Sequence, residues 1–428
     1  MKSKLWILLI AMVIGFVVGC DTGNNLQSGT LIFTVTFDSA GGSAVLPQAV
    51  TQGGLAIEPV VPVRVFTPNA GLYAFAKQDL PGYVFAGWYN EGTSFDFGTP
   101  ITAAVSLVAQ WMLPAEIPPS IAGITANDVA AAIAYVNTNP GAFTLVIDED
   151  VFAAPQMLSV GGVELTIIGL GEPREIRLNA QGSLFNVGST QQMGVNLTLG
   201  NNITLVGLRN GRHGATVDNN SHVVWVYDDG IFTMLEGSRV TGNTAPVSAI
   251  NIQSAGSFVM LGGEITGNVS TGTGAWGVGG LRLLSNSSAT LAGGRITENT
   301  NVIFGDVVVG STTNLTLSGS AEIGTVTIAS RPQDNVFITV VPGWMGNVNA
   351  INLWVGVFAD TMQGVIDLWS DRTVLQASEG HTITPADVAR FQLGNFIGSN
   401  VADPQAISPT HRISNSGANI GTLVFIGD

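Results

Sequence analysis

The residues best suited to chemistry in this chain are charged side chains of its second half. Cleavage of a sugar polymer needs a carboxylate as acid or base, often with a nearby arginine or a calcium ion. Residues of those types are Asp228, Asp229, Glu236, Arg239, Glu264, Arg295 and Glu298. Three of them, Arg239, Glu264 and Arg295, occupy one column of a sequence repeat that continues at Glu322. Alternating charges are typical of a solvated ladder, so we expect no catalysis and take these three as candidate contacts for a glycan or a protein partner.

Metal and disulfide chemistry are disfavoured by residue spacing. The histidines lack metal-ligand spacing and are His213, His222, His381 and His411. The acidic run Asp148-Glu149-Asp150 lacks the EF-hand pattern, so a solvated turn is favoured over a calcium site. A single cysteine, Cys20, excludes an intrachain disulfide and a cysteine-based zinc site. We therefore expect no cofactor.

Cys20 ends a segment with the plan of a signal peptide. Lys2 and Lys4 precede an apolar run from Leu5 to Val18, which is short for a membrane span. The sequence VVGC that ends at Cys20 resembles a bacterial lipobox. The resemblance implies that residues 1–19 are removed, that Cys20 is lipidated, and that residues 20–30 form a tether. The alternatives are an uncleaved anchor helix and a plain secretory signal.

Composition bounds the remaining possibilities. The chain has 428 residues, of which 46% are hydrophobic and 11% charged, so a sizeable core can form and the length exceeds one ordinary domain. The formal net charge is −15, with only 15 Lys and Arg residues. Because phosphate binding needs a concentrated basic face, a nucleic-acid partner is disfavoured.

A repeat organises the second half. Four stretches share one register; they begin at Ile231, Ser257, Ser288 and Asn314 and read IFTMLEGSRVTGN, SFVMLGGEITGN, SATLAGGRITEN and NLTLSGSAEIG. Five columns are apolar throughout: Phe232, Phe258, Ala289 and Leu315; Met234, Met260, Leu291 and Leu317; Val240, Ile265, Ile296 and Ile323; Val224, Ile250, Leu281 and Val307; and Val226, Ile252, Leu283 and Val309. Period-2 alternation predicts three short strands per unit of roughly 25 to 31 residues.

Stacked units of this kind resemble a right-handed parallel β-helix, a pectin-lyase-like solenoid, in a mostly β protein. Alternation also predicts three outward rows, namely Thr233, Val259, Thr290 and Thr316; Thr241, Thr266 and Thr297; and Asn243, Asn268 and Asn299. We expect like residues in these rows to stack by side-chain hydrogen bonding.

A separate module precedes the solenoid. From Leu31 the chain reads LIFTVTFDSAGG, and later PGYVFAGWYNEGTSFDFGTPITAAVSLVAQW, ending at Trp111. Residues 31–111 resemble the Listeria-Bacteroides type of repeat, also called the internalin B-repeat, with a lengthened connection from Arg64 to Leu80. The resemblance implies a small β-grasp-like surface module without catalysis.

Two tryptophans in this module have two interpretations. Trp88 and Trp111 could stack on the apolar face of a sugar, which makes them candidate glycan contacts. Their setting among Gly, Tyr and Phe in a small domain favours a place in the core.

The remaining segments bound the solenoid. Residues 112–124 are a proline-containing linker, and the solenoid is predicted over 125–330. The run VAAAIAYV after Asp128 predicts a capped helix that closes the open end of the β-helix. The repeat is expected to stop after Ser330, leaving residues 331–428 as a C-terminal cap with a short helix from Thr384 through Phe391. This organisation resembles a group of spirochaete lipoproteins.

Taken together, the sequence predicts a lipid-anchored protein of the cell envelope, in the outer membrane or at the cell surface. Its expected role is adhesive, structural or glycan-binding, with a glycan or surface protein as partner and no enzymatic activity. The alternative is a polysaccharide lyase or hydrolase of the β-helix class.

Overall fold

The computed structural model describes fifteen stretches of the chain: residues 31–40, 42–62, 75–77, 84–112, 121, 123–170, 172–189, 194–272, 277–301, 304–329, 336–354, 372–397, 405–406, 411–414 and 421–425. The predicted signal peptide and tether, with Lys2, Lys4 and Cys20, lie outside the described residues, as does most of the predicted linker. Contacts divide the chain into two compact units.

The first unit is a small mixed sheet. Its five strands are β1 (Ile32–Asp38), β2 (Gln48–Thr51), β4 (Val84–Asn90), β5 (Thr93–Ser94) and β6 (Val105–Met112), in the order β2-β1-β6-β4-β5. Strands β1 and β6 are parallel, whereas β2 and β5 are antiparallel to their neighbours. Val35, Trp88 and Leu107 are buried. Strands β1, β4 and β6 contain most of the residues that carry the resemblance to the Listeria-Bacteroides type of repeat.

The second unit is a parallel β-helix with three faces. The first face is a ten-stranded sheet of β3 (Phe75–Lys77), β7 (Gly141–Ile147), β10 (Val163–Gly169), β13 (Asn196–Leu199), β16 (Ile231–Met234), β20 (Ser257–Met260), β24 (Ser288–Leu291), β27 (Asn314–Leu317), β29 (Ile338–Val340) and β31 (Leu375–Ala377), in that order. All its neighbours are parallel except β3, which pairs antiparallel with β7 at the first edge.

The other two faces form one sheet because long strands cross from one to the next. The second face is built from β8 (Val151–Ala153), β11 (Arg174–Leu178), β14 (Ile203–Val206), β17 (Arg239–Thr241), β21 (Glu264–Thr266) and β25 (Arg295–Ile296). The third face is built from β9 (Gln156–Leu158), β12 (Phe185–Val187), β15 (Val224–Val226), β19 (Ile250–Ile252), β23 (Leu281–Leu283) and β26 (Val307–Gly310). Strands β28 (Glu322–Ala329) and β30 (Asn347–Trp354) span both faces, and β18 (Thr244–Ala245) pairs with β22 (Val269–Ser270) between them.

The interior of the solenoid is the apolar core that the repeat predicts. All five apolar columns pair in the expected register and are buried. Phe232 and Phe258 stack with ring centroids 5.5 Å apart. Because inward side chains recur at each rung, one continuous core runs through the coils.

A helix packs against the beginning of this core, as predicted. Helix α1 (Val129–Thr138) is capped by Asp128, whose carboxylate accepts a hydrogen bond from the amide of Ala131 at 3.0 Å. Its buried face, which includes Ile133 and Val136, joins the core cluster. The side chain of Asn127 fixes the preceding turn by accepting from the amide of Asp148 at 2.8 Å.

The coils continue past the predicted end of the repeat at Ser330. Strands β29 and β31 extend the first face, and β30 and β32 (Phe391–Ile397) extend the second and third. This part does not repeat the motif of the four aligned stretches, so the repeat could not mark it, although Gly343 and Gly380 again occupy turns with positive φ. Helix α2 (Pro385–Val388) has the predicted Thr384 cap but ends before Phe391, which starts β32. The remaining strands are β33 (Gln405–Ala406), β34 (His411–Ile413) and β35 (Leu423–Phe425).

The predicted outward row of asparagines is wrong: these residues are buried. Asn243 and Asn268 are each 1% exposed and Asn299 is 5% exposed. The residue before each of them has a positive φ, namely Gly242 (72°), Gly267 (67°) and Glu298 (60°). A left-handed residue interrupts the strand alternation, so the following side chain turns inward.

Candidate functional site

The charged column lies on the outside of the second face, with each residue in register with the next. Arg239 pairs with Glu264, Glu264 with Arg295, and Arg295 with Glu322. Glu264 is held from both sides: its Oε1 is 2.6 Å from Arg295 Nη2 and its Oε2 is 3.7 Å from Arg239 Nε. Each side chain of this trio is between one third and about half exposed. The repeat thus brings together the three candidate contact residues predicted from it.

Glu322 differs from the predicted arrangement, in which each charge has an oppositely charged neighbour. Its backbone is in register with Arg295, but within the described part of the chain the ion pairs of this column are those of Glu264 alone. The Glu322 carboxylate therefore faces solvent at one end of the column.

An open groove of about 570 Å³ follows this column. Its polar walls come from successive coils and are Thr204, Glu236, Ser238, Arg239, Glu264, Arg295, Ser320 and Glu322. Neighbouring strands are ~4.8 Å apart, so the four charged residues extend over about 14 Å. The groove has the length and polarity to contact an extended polar chain.

Stacked glycines form part of the groove. Gly263 and Gly294 have φ values of 84° and 78°, a region that side chains rarely adopt. A Cβ on Gly263 would lie 2.5 Å from Ser238 Oγ, and one on Gly294 would lie 2.6 Å from the carbonyl oxygen of Gly263. Because there is no space for side chains at these positions, the turn beside the charged column carries none, and the charged side chains project beyond it.

The other acidic candidates lie elsewhere. Asp228 and Asp229 occupy the turn after β15 with positive φ values, and Glu298 is exposed at the corner before Asn299. Within the described residues, no cluster of His, Cys, Asp or Glu could hold a metal ion. Asp150 of the acidic run accepts from Arg177 Nη2 at 2.6 Å and from the amide of Glu175 at 3.0 Å.

The third face carries a buried polar group that the sequence reasoning missed. Arg282 is 4% exposed and its Nε donates to Asn251 Oδ1 at 2.7 Å. Burial lowers the pKa of Arg282 to about 10, so the guanidinium remains charged at neutral pH. Alternation within Leu281–Leu283 indicates that the Arg282 side chain points outward, so the sequence suggests an exposed residue. Its burial could not be predicted, because no local sequence pattern shows that other residues cover the outside of this face.

His222 lies close to this group. Its ring is 5% exposed, and Nδ1 is 2.8 Å from the carbonyl oxygen of Ser248. Burial, and secondly the charge of Arg282, lower the pKa of His222 to about 3. The imidazole is therefore neutral at physiological pH.

The two tryptophans of the first sheet are placed differently. Trp88 is 2% exposed and meets Phe37 edge to face at 5.0 Å. Trp111 is half-buried and meets Phe85 edge to face at 5.4 Å. The burial of Trp88 agrees with the core interpretation, because its ring faces are not open to a sugar.

A comparison with known families concerns the same part of the chain as this sheet. Residues 33–65 and 72–110 match the family model of the Listeria-Bacteroides repeat domain. Residues 66–71 lie between the two matched ranges, inside the predicted departure from Arg64 to Leu80. Comparison with curated proteins and with solved structures gave no match for the chain. Neither helix in the described part of the chain has the length and apolar character of a membrane span.

Proposed function

We propose that this protein is a lipid-anchored component of the cell envelope, at the outer membrane or cell surface, and that the groove on its second face binds an extended glycan. The observation that carries the proposal is the column of Arg239, Glu264, Arg295 and Glu322 along an open groove. Guanidinium and carboxylate groups bind neighbouring sugar hydroxyls through paired hydrogen bonds. The resemblance of the first residues to a lipoprotein signal supports the anchor.

The groove favours binding over catalysis. Both oxygens of the Glu264 carboxylate are engaged by arginines, which suits a fixed hydrogen-bonding surface. The residues that line the groove include no aromatic side chain for sugar stacking. We therefore expect each groove to bind a glycan weakly. Many copies of the protein on one surface would increase the overall affinity through multivalent binding. An adhesive or structural role follows from that kind of binding.

A glycan array tests the proposal because it presents ligands at high density. The detergent-solubilised full chain should bind at least one class of extended glycan, and binding should fall for Arg295→Ala. Arg412→Ala is the matched control, since Arg412 is an exposed arginine on β34. Absence of binding across neutral and acidic glycans would contradict the proposal.

The same protein samples test the enzymatic alternative. Incubation with pectin, alginate and glycosaminoglycans, with and without calcium, should give no unsaturated products and no new reducing ends. Product formation that Glu264→Gln abolishes while the fold is retained would replace the binding role with a lyase or hydrolase activity.

A further inference from the structure

A second polar cavity, on the second face near the start of the solenoid, is basic. It has a volume of about 90 Å³ and lies between strands β8 and β11 and the loop that follows β14. Arg177, Arg209, Arg212 and His213 line it, and no acidic residue does. Three of the chain's 15 Lys and Arg residues thus meet in one cavity of a protein with a net charge of −15.

The three arginines differ in their partners. Arg177 is fixed by Asp150 at 2.6 Å and by Glu175 at 2.7 Å, which offset its charge. Arg209 is half-buried and Arg212 exposed, and neither forms an ion pair within the described part of the chain. The attraction of the cavity for an anion therefore comes from Arg209 and Arg212.

The loop that carries Arg209 and Arg212 is held by its own hydrogen bonds. The amide of Arg212 donates to the carbonyl of Arg209 at 3.1 Å, and the amide of Ala215 donates to the carbonyl of Arg212 at 2.9 Å. The amide of Asn210 donates to Asp218 Oδ1 at 2.9 Å. These turns fix the backbone of both arginines before any ligand arrives, which lowers the entropic cost of binding.

We propose that this cavity binds a single oxyanion group: a carboxylate, sulfate or phosphate. Guanidinium groups donate paired hydrogen bonds to such groups, and charge-assisted bonds of this kind are the strong ones. The cavity has room for a group of a few heavy atoms. The site is separate from the groove's charged column, so it can bind its ligand whether or not the groove binds a glycan.

Thermal unfolding of the full chain in different salts tests this site. Inorganic sulfate, phosphate or acetate should raise the melting temperature above that in sodium chloride at the same ionic strength. Arg212→Gln, and independently Arg209→Gln, should weaken the affinity by about tenfold or more. Arg412→Gln, a change on β34, should leave the affinity as it is.

The source of the oxyanion is found by comparing a free ion with sugars. A sulfated sugar or a uronic acid that binds more tightly than the free anion would assign the group to an acidic glycan. Equal affinity would assign the site to the free ion, and a neutral sugar should have no effect. Stabilisation equal to that in chloride, or stabilisation that survives both arginine substitutions, would overturn the proposal.

Discussion

His222 shows how a single residue can report on the integrity of this fold. Its ring lies beside Trp225 in an edge-to-face contact at 5.7 Å and is bound to the Ser248 carbonyl. The pKa of His222 is about 3 in the folded chain, compared with the ordinary value of about 6.5 in the unfolded chain. Between these two pH values the imidazole is protonated in the unfolded chain and neutral in the folded chain, which favours unfolding. Stability from this residue is therefore lost as the pH falls from about 6.5 towards 3.

The corresponding prediction concerns the pH dependence of unfolding. Between about pH 7 and pH 5, His222 should contribute a loss of about 2 kcal/mol in the free energy of unfolding. His222→Asn keeps a donor for the Ser248 carbonyl but cannot be protonated, so its loss over this range should be smaller by that amount. Urea denaturation at both pH values measures the difference, with the exposed His213→Asn as control. An unchanged pH dependence in His222→Asn would show that the ring is not buried.

At the scale of elements, the turns between the second and third faces are joined by a buried ladder of amide side chains. Asn219 Nδ2 donates to Asn243 Oδ1 at 2.9 Å, the amide of Asn243 donates to Asn268 Oδ1 at 3.1 Å, and Asn268 Nδ2 donates to Asn299 Oδ1 at 2.9 Å. At its end, Asp306 Oδ1 accepts from the Asn299 amide at 2.8 Å. Burial raises the pKa of Asp306, against the opposing effect of these donors. The ladder ties four successive coils together.

Removal of one member of the ladder should be costly. Asn268→Ala leaves the Asn243 amide without its acceptor and removes one of the two donors to Asn299 Oδ1, both in a buried setting. We expect a loss of about 3 kcal/mol in the free energy of unfolding. Asn349→Ala, on the exposed outside of β30, should cost less than about 1 kcal/mol. Urea denaturation measures the free energy of unfolding of both variants. Equal losses would show that the asparagines of the ladder are exposed rather than buried.

Some features of these strands and turns could be predicted from the sequence, and others could not. The apolar columns are visible because each inward residue repeats in type, so the strand register and the charged column could be predicted from the letters alone. The inward turn of Asn243 could not, because it depends on the backbone angle of Gly242. The basic cavity was also out of reach, since Arg177 and Arg212 are brought together only when the loop after β14 returns to β11.

At the scale of the whole molecule, the proposed attachment of the protein to a membrane depends on Cys20. We expect Cys20→Ser to move the protein from the membrane fraction to the soluble fraction of cells, because no acyl chain can then be attached. Metabolic labelling with palmitate should mark the wild type and not the variant. A variant that stays with the membrane, together with an unlabelled wild type, would contradict a lipid anchor.

For the whole molecule, we propose that the groove of the second face is the glycan-binding surface. The most direct test is the affinity of the full chain for the glycan selected on the array, measured by titration calorimetry. Arg295→Gln should weaken binding by about tenfold, because it removes one charged donor from the groove. Thr290→Gln, on the outside of the first face, should bind as the wild type does. Unchanged affinity in Arg295→Gln, or an equal loss in Thr290→Gln, would show that the glycan binds elsewhere.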